Sequence, residues 1–574
     1  MPIRCLSDAD GNGHVAAQIC VIGAGFAGLL VSQRLAKKGV KVVLLESGSA
    51  TTSRLDTNRL NEIIDTSGRY TGATLGRFRT LGGSSTRWSG GLKPVSPAEM
   101  GNRPHLGLAG WPFPPSDLDK YSIEIEELFG VESSSYDEDL NEVVDPDRVF
   151  LRSDPDFACK WIKFSPRKKL NVAKLMGPDL ERLSNLEIWT GATVYAFQLN
   201  RNSERVAQIE ARDLGGRAIK VTADEFVLAC GTIESTRLLL LLDRTADNQA
   251  FKGCNALGRY FQDHLCATIG KLDVTDRVAA GRMVRQRFSG PTRRQLHLDL
   301  TEKAQQLDRV ASARVELRPV ASQRSSIRLL KALTRDWPHP GNRPSLQQAW
   351  SVASDSAFLA LFGWTHYVRK RPLLIAEAGV DVNVCAEQVP NANSRITLSN
   401  ERDLLGTYKV KLDWQFVDRD ESTFRSVVAR LSAYWRRAGF DRSCPIVWSR
   451  AALDPAKSML GDVVDAYHPS GSTRMGTDPR ESVVDANLRC HHVPNVYVAS
   501  ASTFPAAGNA NPTFTIMKLA LRLTDVLLKH QLGSRSQCDF PVDTLARQIS
   551  QPISRSPSPA NFKPQRVGTR RLRR

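Results

Sequence analysis

Between residues 18 and 46 the chain runs from an apolar stretch, through three glycines at fixed spacing, to a single acid, and few folds use that order. The segment reads Gln18-Ile-Cys-Val-Ile-Gly23-Ala-Gly25-Phe26-Ala27-Gly28. Ile19 to Ile22 make a short buried strand, a helical pattern begins at Gly28, and Lys41-Val-Val-Leu-Leu45 makes a second strand that ends at Glu46. Gly23 permits the tight turn, Gly25 lets a pyrophosphate approach the backbone, and Gly28 lets helix and strand pack closely. The free N–H groups and the dipole of the helix N-terminus favour that anion. Glu46 stands 18 residues past Gly28, the spacing expected for a carboxylate that grips a ribose diol, with Ser47 beside it. The pattern predicts a βαβ unit over about 19–48 that binds a dinucleotide.

At 574 residues the chain is too long for one ordinary domain, and two packed domains are expected. No apolar run reaches the roughly 18 residues of a membrane span. Residues 1–16 read as a leader with neither an apolar core nor twin arginines, so no export signal is expected. Ten cysteines without any C-x-x-C pair argue against a zinc site, an iron–sulfur cluster or attached haem, and suit a reducing, cytoplasmic setting. The formal net charge is +18, and residues 534–574 contribute nine Lys or Arg against two Asp. That Ser-, Pro- and Arg-rich tail is expected to be disordered, either simply solvated or tethering the protein to a membrane or acidic partner; no nucleic-acid partner is expected.

The fold expected is α/β (α+β overall): a discontinuous Rossmann-like domain and a mostly antiparallel-sheet substrate domain. Residues 17–265 supply the first and middle parts of the nucleotide domain, including a glycine- and hydroxyl-rich loop at 71–91. In its middle part Leu186–Gln198 and Val206–Asp213 read as strands, and a buried strand to Cys230 is followed by a helix over Ser235–Leu242. Residues 266–464 change texture, with alternating strands at Arg314–Arg318, Val382–Cys385, Arg395–Leu398 and Lys409–Trp414, and a helix over Glu421–Ala438. Residues 465–533 return to the nucleotide domain, with a strand at Val496–Ala499 and a helix opening near Pro512.

Six stretches in order resemble the glucose–methanol–choline (GMC) flavin oxidoreductases. They are the 23–28 turn with Glu46, Arg79-Thr-Leu-Gly-Gly-Ser-Ser-Thr-Arg-Trp88, Ala229-Cys-Gly-Thr-Ile-Glu-Ser-Thr-Arg237, Leu257-Gly-Arg-Tyr-Phe-Gln-Asp-His264, His468-Pro-Ser-Gly-Ser-Thr-Arg-Met-Gly476 and Asn509-Ala-Asn511-Pro512-Thr513. The resemblance implies FAD and the oxidation of an alcohol by hydride transfer. It assigns His468 as the base and Asn511 as the group that holds the alcohol oxygen. An alcohol proton must leave as the hydride departs, which suits an imidazole that is neutral near pH 7. His491 and His492 are the close rivals for the base. The resemblance also places Arg79, Gly82, Gly83, Ser84, Ser85, Val194, Ala229, Gly231, Ser500, Asn511, Pro512 and Thr513 around the cofactor, and Gln388 at a sugar-binding position of the pyranose-oxidase branch.

Three departures bear on the branch. Arg87 stands where that branch has a histidine joined covalently to flavin, so non-covalent FAD is expected; Thr236 and Ser500 replace the usual proline and aspartate. A bacterial branch related to sugar and cyclitol dehydrogenases fits better. The reading is FAD-dependent oxidation of a CH–OH group of a sugar, cyclitol or polyol-like alcohol, with oxygen or a separate electron carrier as acceptor. The alternatives are oxidation of a sterol or aryl alcohol, and a flavin-containing binding protein acting through its basic tail.

Overall fold

A computed structural model of the chain describes all residues except 1–2, 9–12, 52–54, 138–148, 152, 201–203, 321–349, 351–363, 365–378 and 539–574. By contacts, residues 1–528 form one compact unit and residues 529–574 a second. Within the first, two large sheets each carry their own apolar core. The basic tail lies, from residue 539 on, outside the described residues.

The first sheet has eight strands, in the order Ile3–Cys5, Leu186–Thr190, Val42–Glu46, Gly13–Ile22, Ala218–Leu228, Val206–Arg212, Thr193–Leu199, with Val496–Val498 also paired to Ala218–Leu228. The strands from Ile3–Cys5 to Ala218–Leu228 and on to Val496–Val498 run parallel, and the last two form an antiparallel meander. Ile19–Ile22 and Val42–Leu45 are buried on both faces, as parallel strands covered by helices must be. The strand expected over Leu186–Gln198 is broken in two at Gly191, whose φ of 73° makes the turn. Within the stretch 1–16, expected as a leader, the described residues 3–5 and 13–16 belong to the sheet. Ile3–Cys5 pairs with Ile188–Thr190, and the glycine-motif strand starts at Gly13, opposite Ile219.

The second sheet is antiparallel throughout and has nine strands. Its central strands are Phe157–Phe164, Thr292–Leu300, Ala313–Pro319, Val380–Ala386 and Leu265–Leu272. One face buries Leu298, Leu300, Val315, Leu317, Val382 and Val384 against the helix Asp418–Arg437. The other face is polar and carries Asp299, Arg314 and Glu316. Cys266 and Cys385 face each other across two of these strands and are disulfide-bonded, a pairing across 119 residues that their sequence spacing does not announce. Among the described residues no helix is long and apolar enough to cross a membrane.

Candidate active site

A cavity opens at the carboxyl ends of the parallel strands, where ligands bind in open α/β sheets. Its walls come from three distant parts of the chain: 22–27, 45–47 and 76–84; 192–194 and 229–234; and 467–469, 499–501 and 512–516.

At the first of these, Gly23 turns the chain with φ 99° after the strand ends at Ile22. A Cβ on Gly28 would stand 1.8 Å from the Gly23 carbonyl oxygen, so this glycine is required by packing. A Cβ on Gly25 would meet nothing within 4 Å. Gly25 faces the cavity at the N-cap of the helix Phe26–Lys37, and the open space beside it is where a pyrophosphate would sit. Glu46 is 6 % exposed; its carboxylate accepts hydrogen bonds from the backbone N–H of Ala24 at 2.9 Å and Gly48 at 2.8 Å. Burial raises its pKa, and those two N–H groups and Arg79 work against the rise. Each oxygen keeps a lone pair for a diol. Arg79 donates to Asn61, Ser47, Leu60 and Glu234, so its guanidinium braces the nucleotide end. Burial opposes the charge on Glu234, yet Arg79, Arg237 and Arg77 hold its pKa at about 2.

Phe26, Ala27, Ser47, Gly83, Ser84, Val194, Ala229, Gly231, Ser500, Pro512 and Thr513 all line the cavity. Gly82 and Ser85 sit just behind it. Gly82 (φ 94°) makes the turn, and the buried Ser85 hydroxyl is spent between the Gly82 carbonyl at 2.6 Å and the Val172 N–H at 3.1 Å. These residues fit a dinucleotide cofactor: a glycine-bordered anion space, a carboxylate at the ribose end and a helix N-terminus, at Thr513, at the far end.

At that far end stands His468, half-buried on the cavity wall. Two segments bring it there. Residues 258–264 enter the strand Leu265–Leu272, and 467–471 run antiparallel beside them, with Gln262 and Ser470 exchanging backbone hydrogen bonds at 2.9 and 2.8 Å. Gly471 is obligatory, since a Cβ there would lie 2.0 Å from the Tyr260 carbonyl oxygen. The buried Asp263 carboxylate clamps both segments, accepting from the backbone N–H of His264 at 2.7 Å and of His468 at 3.0 Å and from the Tyr70 hydroxyl at 2.8 Å.

The imidazoles of His264 and His468 meet at 2.9 Å through their Nδ1 atoms, and His264 Nε2 lies 2.7 Å from the Gly508 carbonyl oxygen. A carbonyl only accepts, so His264 Nε2 carries a proton. Burial, with the positive charge of Arg314, lowers the His264 pKa to about 3, so the ring is neutral and its Nδ1 is a bare acceptor. His468 Nδ1 must therefore be the donor, which leaves its Nε2 as a lone pair. That Nε2 has no hydrogen bond among the described residues. Burial, then His264 and Arg314, hold the His468 pKa well below the ordinary histidine value, so the ring is neutral at pH 7. Asn511 is fixed in the same way. Arg314 Nη2 donates to its Oδ1 at 3.0 Å, which turns the two N–H donors of its Nδ2 away from that contact. His468 thus presents a free imidazole nitrogen on the cavity wall, and Asn511, one residue before the lining residue Pro512, is held by Arg314.

The other sequence expectations divide. His491 is bonded to Ser482 and Gly476, and His492 to the Pro479 carbonyl; neither lines the cavity. Gln388 is fully buried and does not line the cavity; its Oε1 accepts from Trp414 Nε1 and the Asp263 N–H and its Nε2 donates to the Gln415 carbonyl, so it braces the Asp263 clamp. His264 was legible only as part of a motif, and Arg314 only as one member of an alternating strand.

Residues 390–520 match the family model described as GMC oxidoreductase, and residues 21–74 match a NAD(P)-binding Rossmann-like domain. The chain is 31 % identical over 158 residues to the fructose dehydrogenase large subunit of Gluconobacter japonicus, covering 26 % of this chain and 25 % of that one. It is 22 % identical over 573 residues to the 2-methyl-1,2-propanediol dehydrogenase of Mycolicibacterium austroafricanum, covering 89 % and 94 %. The first curated relatives are thus matched over only about a quarter of their own length. Among solved structures it shares the fold of pyridoxine 4-oxidase from Mesorbium loti, with a TM-score of 0.56 at 18 % identity, covering 90 % of this chain and 99 % of that one. A formate oxidase of Aspergillus oryzae gives a TM-score of 0.55 at 15 % identity, covering 92 % and 100 %.

Proposed function

We propose that the chain is a GMC-type, FAD-dependent enzyme that oxidises a CH–OH group of a sugar, cyclitol or polyol-like alcohol, a reading supported by the GMC oxidoreductase match over residues 390–520 and by the full-length likeness to a diol dehydrogenase. The observation that carries this reading is the pairing of a cavity bordered by Gly25, Glu46 and Thr513 with a neutral His468 on its wall, its Nδ1 donating to His264. FAD, when bound, would supply the acceptor for the hydride. Gly25 and the helix behind it would hold its pyrophosphate, Glu46 its ribose, and the Thr513 helix N-terminus its far end.

The chain's own residues do the rest. His468 Nε2 takes the hydroxyl proton as the C–H bond opens, and the imidazolium so formed keeps its Nδ1–H bond to His264. Asn511 Nδ2 donates to the alcohol oxygen, holding it in line and supporting the charge it gains when the proton leaves. Positioning of this sort supplies several kcal/mol of a barrier, and a placed general base about 10²–10⁴-fold in rate. Arg314, on the polar face of the antiparallel sheet, reaches Asn511, and a polar neighbourhood there favours a hydroxyl-rich substrate over a sterol or aryl alcohol. The sugar- and diol-oxidising relatives point the same way.

The test is an anaerobic screen of purified, yellow protein against sugars, cyclitols, short diols, sterols and aryl alcohols, read as bleaching of the flavin's visible band. Bleaching by the hydroxyl-rich set supports the proposal. Bleaching by sterols or aryl alcohols alone overturns the substrate class. The basic tail is proposed as a tether, independent of the chemistry: deleting residues 534–574 should leave bleaching unchanged while lowering adhesion to anionic vesicles.

A further inference from the structure

Beside the catalytic pair lie three buried polar atoms that nothing in the protein satisfies: Asp299 Oδ1, Arg314 Nη1 and His297 Nδ1. Their residues are 9 %, 3 % and 3 % exposed. Buried polar atoms are almost always paired, and a bare buried charge is costly, so a cluster of them marks a place that something else completes.

Their position follows from strand alternation. Asp299 and His297 share one face of Thr292–Leu300, while Leu298 and Leu300 go to the apolar core behind. Arg314 and Glu316 share the same face of Ala313–Pro319, with Val315 and Leu317 behind. In the ladder Asp299 stands directly opposite Arg314. This polar row docks on the Asn509-Ala-Asn511 segment. Asp299 Oδ2 accepts from Asn509 Nδ2 at 3.3 Å and from Lys93 Nζ at 2.5 Å, and Lys93 also reaches Asn509 Oδ1 at 2.9 Å. Arg314 spends Nε on Glu316 at 2.6 Å and Nη2 on Asn511 at 3.0 Å. Each residue of the pair therefore grips one asparagine and keeps one atom bare: a donor on Arg314 and an acceptor on Asp299. His297 Nδ1 sits 3.8 Å from Glu316, too far for a hydrogen bond.

We propose that Asp299 and Arg314 form a subsite for a second hydroxyl of the substrate, on the carbon next to the one oxidised. A hydroxyl both accepts and donates, so among substrate groups it can satisfy the two bare atoms together, as a water would in its absence. A carboxylate would face Asp299, an ammonium would face Arg314, and a C–H would leave both unpaired. One guanidinium links the two positions: its Nη2 sets the amide that holds the reacting oxygen, and its Nη1 is left for the neighbouring one. The subsite makes the enzyme selective for vicinal diols within the polyol class, and it rests on the function proposed above.

The test uses FAD-loaded enzyme with cis-1,2-cyclohexanediol and cyclohexanol as probes, compared by kcat/KM for anaerobic flavin bleaching. A site built to pair a hydroxyl rejects the analogue that lacks it by well over about tenfold. The wild type should prefer the diol by at least that factor. Arg314→Met, which removes the donor, and Asp299→Asn, which replaces the acceptor by an amide, should each bring the ratio towards one. Taking the ratio cancels the harm Arg314→Met does to both probes through Asn511. Should one variant fail to retain FAD, the other carries the comparison. A wild-type ratio near one, or a ratio unchanged in the variants, overturns the subsite and leaves a bound water as the bridge between the bare atoms. Binding is read separately in FAD-loaded His468→Ala, from the change each probe makes in the flavin spectrum. If the wild type oxidises no member of the polyol screen but the diol still binds preferentially and loses that preference with Arg314→Met, the proposed function falls and the subsite stands. If both probes are oxidised equally, the function stands and the subsite falls.

Discussion

Replacing His264 by leucine separates the role of the buried relay from that of the base itself. The ring makes two hydrogen bonds, at 2.7 Å to the Gly508 carbonyl and at 2.9 Å to His468 Nδ1. Leucine fills similar space and makes neither. When His468 takes the substrate proton, the bond from its Nδ1–H becomes a charged one, worth about 1.5–3 kcal/mol. At about 1.36 kcal/mol per tenfold in rate, its loss lowers kcat by about 10- to 100-fold. The neutral ring also becomes free to move its proton to Nε2, which removes the lone pair that acts as base. His264→Gln retains both functions, since an amide oxygen can accept from His468 and an amide N–H can donate to Gly508, and it should recover most of the rate. The assay is single-turnover bleaching of bound FAD under anaerobic conditions, with FAD content and melting temperature measured beside it. A leucine variant that keeps its FAD and bleaches at the wild-type rate refutes the relay. So does a glutamine variant as slow as the leucine one, because a merely structural role would not favour the amide.

Further outcomes follow from the same geometry. His264 titrates at about 3 when folded and near 6.5 when unfolded. The unfolded chain therefore binds the proton first, and this residue's contribution is present above pH 6.5 and lost as pH falls toward 3. Denaturant titrations should show wild type losing about 1.4 kcal/mol per pH unit relative to His264→Leu across that window; parallel curves would contradict the assignment. Gly25→Ala should melt as the wild type does but bind FAD more weakly, because its Cβ meets only the empty anion space, whereas Gly28→Ala should fold poorly, because its Cβ would strike the Gly23 carbonyl. Equal loss of stability in both would undo that distinction. Arg87 is exposed, with its guanidinium 5.8 Å from the centre of the Phe78 ring, and cannot form the flavin bond of the pyranose-oxidase branch. Acid precipitation should leave a colourless pellet and yellow supernatant.

The nucleotide half was legible because its constraints are local. Gly23, Gly25 and Gly28 lie within one turn, Glu46 ends the next strand, and strands that pair in space, such as Ile19–Ile22 with Val42–Leu45, are close in sequence. The antiparallel strands around Arg314, Val382 and Arg395 were equally plain from their alternation. Pairings across long separations were not. Nothing in the spacing shows that Ile3–Cys5 adds to the sheet beside Leu186–Thr190, or that Cys266 meets Cys385. At the site, the residues proposed to touch substrate or cofactor carry motif signals, as does His264, whereas Arg314 does not. Arg314 is one charged residue among many in an alternating strand, and its contact with Asn511 spans 197 positions. Gln388 shows the converse: a polar residue at a suggestive position, absorbed by Trp414, Asp263 and Gln415 because a buried amide must be satisfied wherever it falls.

The central claim is that His468 acts as a neutral base through its Nε2. Its most direct test is anaerobic mixing of FAD-loaded wild type and His468→Ala with the best substrate from the polyol screen, followed at the flavin's visible band. The account requires equal FAD content in the two proteins, rapid bleaching in the wild type, and bleaching slower by about 10²–10⁴-fold in the variant. Bleaching of His468→Ala at the wild-type rate would contradict it.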